Sequence, residues 1–147
     1  MAFPCFAAPL LPAAEEDEID GRLPKYTIPS HYDIQLATNV HTGTRRFEGY
    51  VTILVDIAAD VPSGTQFLTL HNRGLSFTEN VPRVMDATDN NIFSFNTTAT
   101  NDFLYLHLTR ALVPSEKLTI SIEYIGNLQT NMAGFYRSSY RVGTETR

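Results

Sequence analysis

The sequence predicts an all-β fold, a largely antiparallel β-sandwich, on three observations. Apolar and polar residues alternate with period two through two long stretches. Turn-forming residues punctuate a series of shorter apolar runs. No stretch of ten or more residues after Gly21 sustains helical spacing. At 147 residues the chain has the length of one domain. A chain of that size buries about 68–70% of its unfolded surface, enough for a single core.

The elements follow in order. Tyr32, Ile34 and Leu36 alternate with Asp33, Gln35 and Ala37 and predict a first strand with one face to bury. Phe47, Val51, Ile53, Val55 and Ile57 alternate with Glu48, Tyr50, Thr52 and Asp56 and predict a second. Further strands are expected over residues 66–71, 75–78, 81–86, 92–95, 103–109 and 117–124. Val61-Pro62-Ser63-Gly64, Asp89-Asn90-Asn91 and Val113-Pro114-Ser115 separate them, residue types whose backbones favour reversals.

Residues 1–20 read differently from the predicted domain at 21–147. Met1 to Ala14 is apolar but broken by Pro4, Pro9 and Pro12, and it gives way to Glu15-Glu16-Asp17-Glu18. The expectation is a poorly ordered tail or a weak signal-like segment: it lacks a basic leading region, and Pro12-Ala13-Ala14 is a poor cleavage site. It is shorter than the roughly 20 residues a membrane-spanning helix needs, so no transmembrane segment is expected. Clustered like charges such as Glu15 to Glu18 mark solvated chain rather than a site.

The net charge of -5 argues against a nucleic-acid partner, whose phosphates require a basic patch. The single cysteine, Cys5, forms no internal disulfide and leaves the redox compartment open.

Three motif blocks carry a family resemblance. Arg22-Leu23-Pro24 with Ile28-Pro29-Ser30-His31-Tyr32-Asp33-Ile34 comes first, Phe47-Glu48-Gly49-Tyr50-Val51-Thr52-Ile53 second. The third is Gly134-Phe135-Tyr136-Arg137-Ser138, placed after the strand Leu118-Thr119-Ile120-Ser121-Ile122-Glu123-Tyr124. In this order they resemble the N-terminal β-domain of the zinc aminopeptidases of the aminopeptidase N family, with Leu68-Thr69-Leu70-His71 as a weaker fourth match. The resemblance covers residues 22–140 and implies a saddle-shaped, non-catalytic β-domain. Ala2-Phe3-Pro4-Cys5-Phe6-Ala7-Ala8-Pro9 resembles a run that the family carries after the third block, but here it precedes the first and lacks the acidic pair. No role is carried over from it.

Enzyme chemistry is not expected from this chain alone. The family's zinc is held by an H-E-x-x-H helix and a further Glu, and its substrate amino terminus by a G-A-M-E-N run, neither of which occurs here. His31, His41, His71 and His107 are not spaced for two imidazoles on one helical face. They read as strand or loop residues bonded to backbone or water. The sequence has no G-x-S-x-G, no phosphate-binding loop and no dinucleotide fingerprint. No cofactor is expected in this chain; zinc belongs to the full-length family.

The candidate site residues are Gly134, Phe135, Tyr136, Arg137 and Ser138, to which the resemblance assigns a positioning and interdomain role. On their own chemistry, Gly134 allows close backbone approach, Phe135, Tyr136 and Tyr140 fill core or interface space, and Arg137 pairs with a carboxylate or carbonyl. Asn96-Thr97-Thr98 is the chain's N-glycosylation sequon, in a polar stretch that suits a surface turn. Arg45-Arg46 reads as ordinary hairpin-loop charge. The expected partner is an aminopeptidase catalytic domain, with peptide substrate only in that context. The alternative is a free-standing β-sandwich module binding a protein, peptide or sugar without hydrolysis. An extracellular or cell-surface location is implied by the resemblance, with a cytoplasmic one as the alternative.

Overall fold

The structure, a computed structural model, describes residues 21–39, 43–77, 82–100, 102–130, 135, 136, 138, 139, 141–143, 145 and 146. The predicted tail at residues 1–20 lies outside them, as do His41, Gly134, Arg137 and Tyr140. The described elements are all strands: β1 (Thr27–Thr38), β2 (Arg46–Ile57), β3 (Phe67–His71), β4 (Ser76–Phe77), β5 (Arg83–Met85), β6 (Phe93–Thr100), β7 (Phe103–Leu108), β8 (Lys117–Asn127), β9 (Arg141–Val142) and β10 (Glu145–Thr146).

They form two packed antiparallel sheets and a short hairpin. The larger sheet runs β1-β2-β8, and the far edge of β8 is shared between β4 and β5. The smaller runs β3-β7-β6, and β9 pairs with β10. Every pair of described strands is antiparallel, with β1–β2 and β6–β7 joined as hairpins. Side chains alternate across each strand, so the inner faces of the two sheets supply the core.

Ile53, Val55 and Ile57 of β2, Leu118, Ile120 and Ile122 of β8 and Val84 of β5 meet Leu68 of β3, Phe93 of β6 and Leu104, Leu106 and Leu108 of β7. Burying each such side chain contributes about 1.5–3 kcal/mol, and the β-branched residues among them fit a pleated surface. The loops close the ends with Val61, Ile92 and Leu112.

The turns sit where the sequence places them. Gly64, Asp89 and Ser115 adopt positive φ in the three expected reversals. Asp86 Oδ1 accepts hydrogen bonds from the Thr88 hydroxyl (2.7 Å) and from the backbone N–H of Thr88 (2.9 Å) and Asn90 (3.1 Å). These bonds hold the Asp86 carboxyl well below its ordinary value, at about 2. Arg110 joins this turn to the next: it donates to both carboxylate oxygens of Glu116 (3.2 and 2.8 Å) and lies 3.6 Å from Asp86. Glu116 in turn accepts from the Val113 N–H at 2.6 Å.

Three details differ from the sequence reading. The first strand exposes the face that its alternation marks for burial, because the three-stranded sheet covers β2 and β8 but does not extend over β1. Asn96 lies within β6 rather than in a turn; the pairing of β6 with β7 shifts register between Phe93 and Thr97. Arg46 is the first residue of β2 and pairs with Glu48 at 3.0 Å. The β9–β10 hairpin, too short to show a period, is an addition.

Candidate functional site

The G-F-Y-R-S segment meets the larger sheet at one end of β2 and β8. There the two strands exchange glycine for aromatic residue: Phe47 of β2 faces Gly126 of β8, and Gly49 of β2 faces Tyr124 of β8. A glycine within a strand marks a close approach, and here each ring occupies the space that a side chain on the opposite glycine would fill. Phe47 and Tyr124 meet edge to face, with ring centroids 6.4 Å apart at 82°.

Phe135 extends this cluster. Its ring stands edge to face on Phe47, centroids 5.1 Å apart at 78°. Its carbonyl accepts a hydrogen bond from the Gln129 N–H at 3.1 Å, and Tyr136 forms a bridge with Gln129. Leu128 N–H donates to the Arg45 carbonyl at 2.7 Å, so the chain leaving β8 is tied to the start of β2. Phe47 is buried, yet Phe135 remains 47% and Tyr136 44% exposed. One edge of the segment is anchored and the other is open.

Of the five sequence-predicted motif residues, Phe135, Tyr136 and Ser138 are placed, Ser138 in an exposed position; Gly134 and Arg137 fall outside the described residues. The sequon's Thr98 is exposed, its hydroxyl 3.0 Å from His107 Nε2. Phe47 as the anchor of the segment was not evident from sequence, because its place opposite Gly126 depends on the pairing of β2 with the distant β8.

A shallow groove of about 660 Å3 crosses the ends of β1, β2 and β8. Gln35, Glu48, Tyr50 and Glu123 line it. Hydrogen bonds with Ser121 first and Thr52 second hold the Tyr50 phenol below its ordinary value, whereas burial pushes the Tyr124 phenol up. Among the described residues, neither groove nor aromatic cluster assembles a nucleophile with a base.

The described histidines stand apart. His31 is on β1, and His71 and His107 are on β3 and β7, four residues out of register, which is on the order of 13 Å along a strand. His71 Nε2 lies 3.4 Å from the Gly21 carbonyl. Among the described residues, no three His, Cys, Asp or Glu side chains are grouped to hold a metal ion, and the residues present do not fit a hydrolytic zinc site. No helix of the described residues is long and apolar enough to cross a membrane.

Comparison with known proteins identifies what this scaffold is similar to. Endoplasmic reticulum aminopeptidase 1 of Homo sapiens is 31% identical over 120 residues, 82% of this chain and 12% of that protein. Aminopeptidase M1-C of Oryza sativa subsp. japonica is 27% identical over 138 residues, 92% of this chain and 15% of the relative. Aminopeptidase N of Rattus norvegicus is 28% identical over 131 residues, 83% of this chain and 13% of the relative. The chain therefore spans about an eighth of the length of these relatives. The family model for the peptidase M1 N-terminal domain matches residues 28–147, from the second residue of β1 through the aromatic segment. By that match, and by the strand alternation and G-F-Y-R-S segment that it spans, the chain belongs to the peptidase M1 N-terminal domain family.

Proposed function

We propose that this chain serves as the non-catalytic N-terminal β-domain of a zinc aminopeptidase, a fragment or truncated relative of one, packing on a catalytic domain and helping to enclose a peptide. The observation that carries this reading is the half-anchored aromatic segment: Phe135 is fixed on buried Phe47, while its outer surface and that of Tyr136 face solvent. A side chain held rigid at one edge loses little entropy when a partner covers the other, which favours it as an interface residue. The chain's own residues would contribute apolar contact and backbone position. Zinc and the chemistry it supplies would belong to the partner domain, as would the removal of N-terminal residues from peptides.

The same relatives motivate a location. One bears the name endoplasmic reticulum aminopeptidase, and in such a lumen Asn96 of the sequon would be a glycan acceptor.

The test mixes residues 1–147 with the catalytic portion of a homologous aminopeptidase deprived of its own β-domain. Calorimetry should detect binding that Phe135→Asp weakens at least tenfold, and hydrolysis of an aminoacyl arylamide by the catalytic portion should rise on addition of the chain. The chain alone should bind no stoichiometric zinc and release no amino acid. Absence of binding would overturn the docking role; chelator-sensitive hydrolysis by the chain alone, surviving controls for contamination, would overturn its non-catalytic character.

A further inference from the structure

Among the described residues, β1 is the longest strand with an unpaired edge. Among the described strands, β1 pairs with β2 alone, and its twelve residues leave a full row of backbone groups on the other side. Proteins guard such edges with proline, charge, bulges or brevity. The edges of β3, β4 and β5 are short, and β6 carries a register irregularity. In β1 the guards are Pro29 and the bulge at Ser30, whose hydroxyl donates to the Leu54 carbonyl at 3.2 Å. From Tyr32 to Thr38 the strand is regular and contains no proline, lysine or arginine.

That stretch is also apolar on one face. Tyr32, Ile34 and Leu36 share the inner face with Ile53, Val51 and Gly49, yet they are 52, 55 and 50% exposed.

We propose that a second copy of the chain closes this edge, β1 pairing antiparallel with β1 in a two-fold arrangement centred on Gln35. Charge and pattern select both the occupant and the register. The regular stretch carries one formal charge, Asp33. A centre at Asp33 sets the two carboxylates directly opposite each other, and a centre at Ile34 leaves them diagonal, about 7–8 Å apart; both arrangements oppose pairing. A centre at Gln35 places Asp33 opposite Ala37 of the second copy, with Gln35 and Asn39 as its diagonal neighbours. Ile34 then meets Leu36, and Tyr32 meets Thr38. A slip by one residue would set the apolar face against the polar one. Within the regular part of the strand, the charge-poor stretch Tyr32 to Thr38 pairs end to end only in the Gln35 register. The segment is thus complementary to its own reversed copy, and the paired sheet would place the two apolar stripes side by side. Net charge and the small contact area make this a weak interface, with a dissociation constant on the order of 10–100 μM.

The experiment uses residues 1–147 without any catalytic domain, so it is independent of the docking role proposed above. Sedimentation should show a dimer in reversible exchange, its population rising with concentration, and Leu36→Lys should weaken the association at least tenfold without shifting the thermal midpoint of the dilute monomer, in which Leu36 is half-exposed. In a Cys5→Ser background, Gln35→Cys should give a disulfide-linked dimer under mild oxidation, and Asp33→Cys should not, because residue 33 faces residue 37 of the other copy. A monomer at several hundred micromolar would overturn the proposal. So would equal cross-linking at 33 and 35, or a dimer dissolved by Phe135→Ser and not by Leu36→Lys. Capture of an unrelated extended peptide on the same edge, with the chain otherwise monomeric, would also overturn it and leave a peptide-binding module.

Discussion

The ring of Tyr124 lies across the α-carbon of Gly49, its directly opposite neighbour in the β2–β8 pair. A Cβ at position 49 would collide with two carbons of that ring and with its hydroxyl oxygen. Glycine in a strand is entropically unfavourable, and replacement by alanine at an unobstructed site stabilises by about 0.4–1 kcal/mol. Here the sign reverses. Gly49→Ala should destabilise the domain by about 1–3 kcal/mol, the range for overpacking a well-filled site. Urea denaturation of Gly49→Ala, Tyr124→Ala and the double variant checks the cause: in the Tyr124→Ala background the Gly49→Ala cost should largely vanish.

Ile53 and Ile34 are equivalent in the sequence pattern and different in the fold. Ile53 is 6% exposed and belongs to the core, whereas Ile34 is 55% exposed on the same face of the same sheet. Ile53→Ala and Ile122→Ala should each cost roughly 2–5 kcal/mol, and Ile34→Ala in the monomer under about 1. Thr52→Ala, on the outer face, should also cost far less than Ile53→Ala. Comparable losses at 34 and 53 would mean that the second sheet covers β1 after all.

That contrast marks how far the sequence could be read. Period-two alternation shows which side chains share a face, since it depends on the residue's own strand; hence Phe47, Ile53, Ile120 and Ile122 were legible as inward. Whether another sheet lies over that face depends on where distant strands pair, and nothing local to Tyr32, Ile34 or Leu36 encodes it. The turns at Gly64, Asp89 and Ser115 were legible from residue type, though not the positive φ at Asp89 and Ser115. Asn96 was not: it lies in β6 at the point where the pairing with the next strand shifts register, and cross-strand pairing overrides the local turn preference of a polar stretch. At the candidate site, the motif located Phe135 and Tyr136, but the support from Phe47 required the register that sets it opposite Gly126.

Asp86 gives the domain an acid-sensitive turn. Its carboxyl falls from an ordinary 3.8 to about 2 because the Thr88 hydroxyl, then the Asn90 and Thr88 backbone N–H groups, hydrogen-bond its ionised form. A folded value below the unfolded one means that the ionised group stabilises the fold above about pH 4, and that this contribution is lost as pH falls toward about 2. Asp86→Asn should therefore lower the thermal midpoint at pH 6, and the gap from the unaltered chain should close between about pH 4 and pH 2. A gap that is constant across this range would remove the carboxylate from the account.

Phe135 tests whether the C-terminal segment is a surface held in place or part of the core. The segment touches the sheet through its ring on Phe47 and through the Gln129 N–H bond to its carbonyl. An edge-to-face aromatic pair is worth about 0.5–1.5 kcal/mol beyond its buried area, and the Phe135 ring is half exposed. Phe135→Ser should therefore lower global stability by no more than about 2 kcal/mol while releasing the segment locally. Hydrogen exchange reads the two separately: the Gln129 amide should lose most of its protection, while the amides of Ile120 and Ile122 in the core of β8 should change only by the global loss. Tyr136→Ser should leave Gln129 protected, because its link to Gln129 is through the backbone bridge. Cooperative loss of protection at Ile120, Ile122 and Gln129 together, beyond that global figure, would make Phe135 a core residue and deprive the proposed docking surface of its anchor.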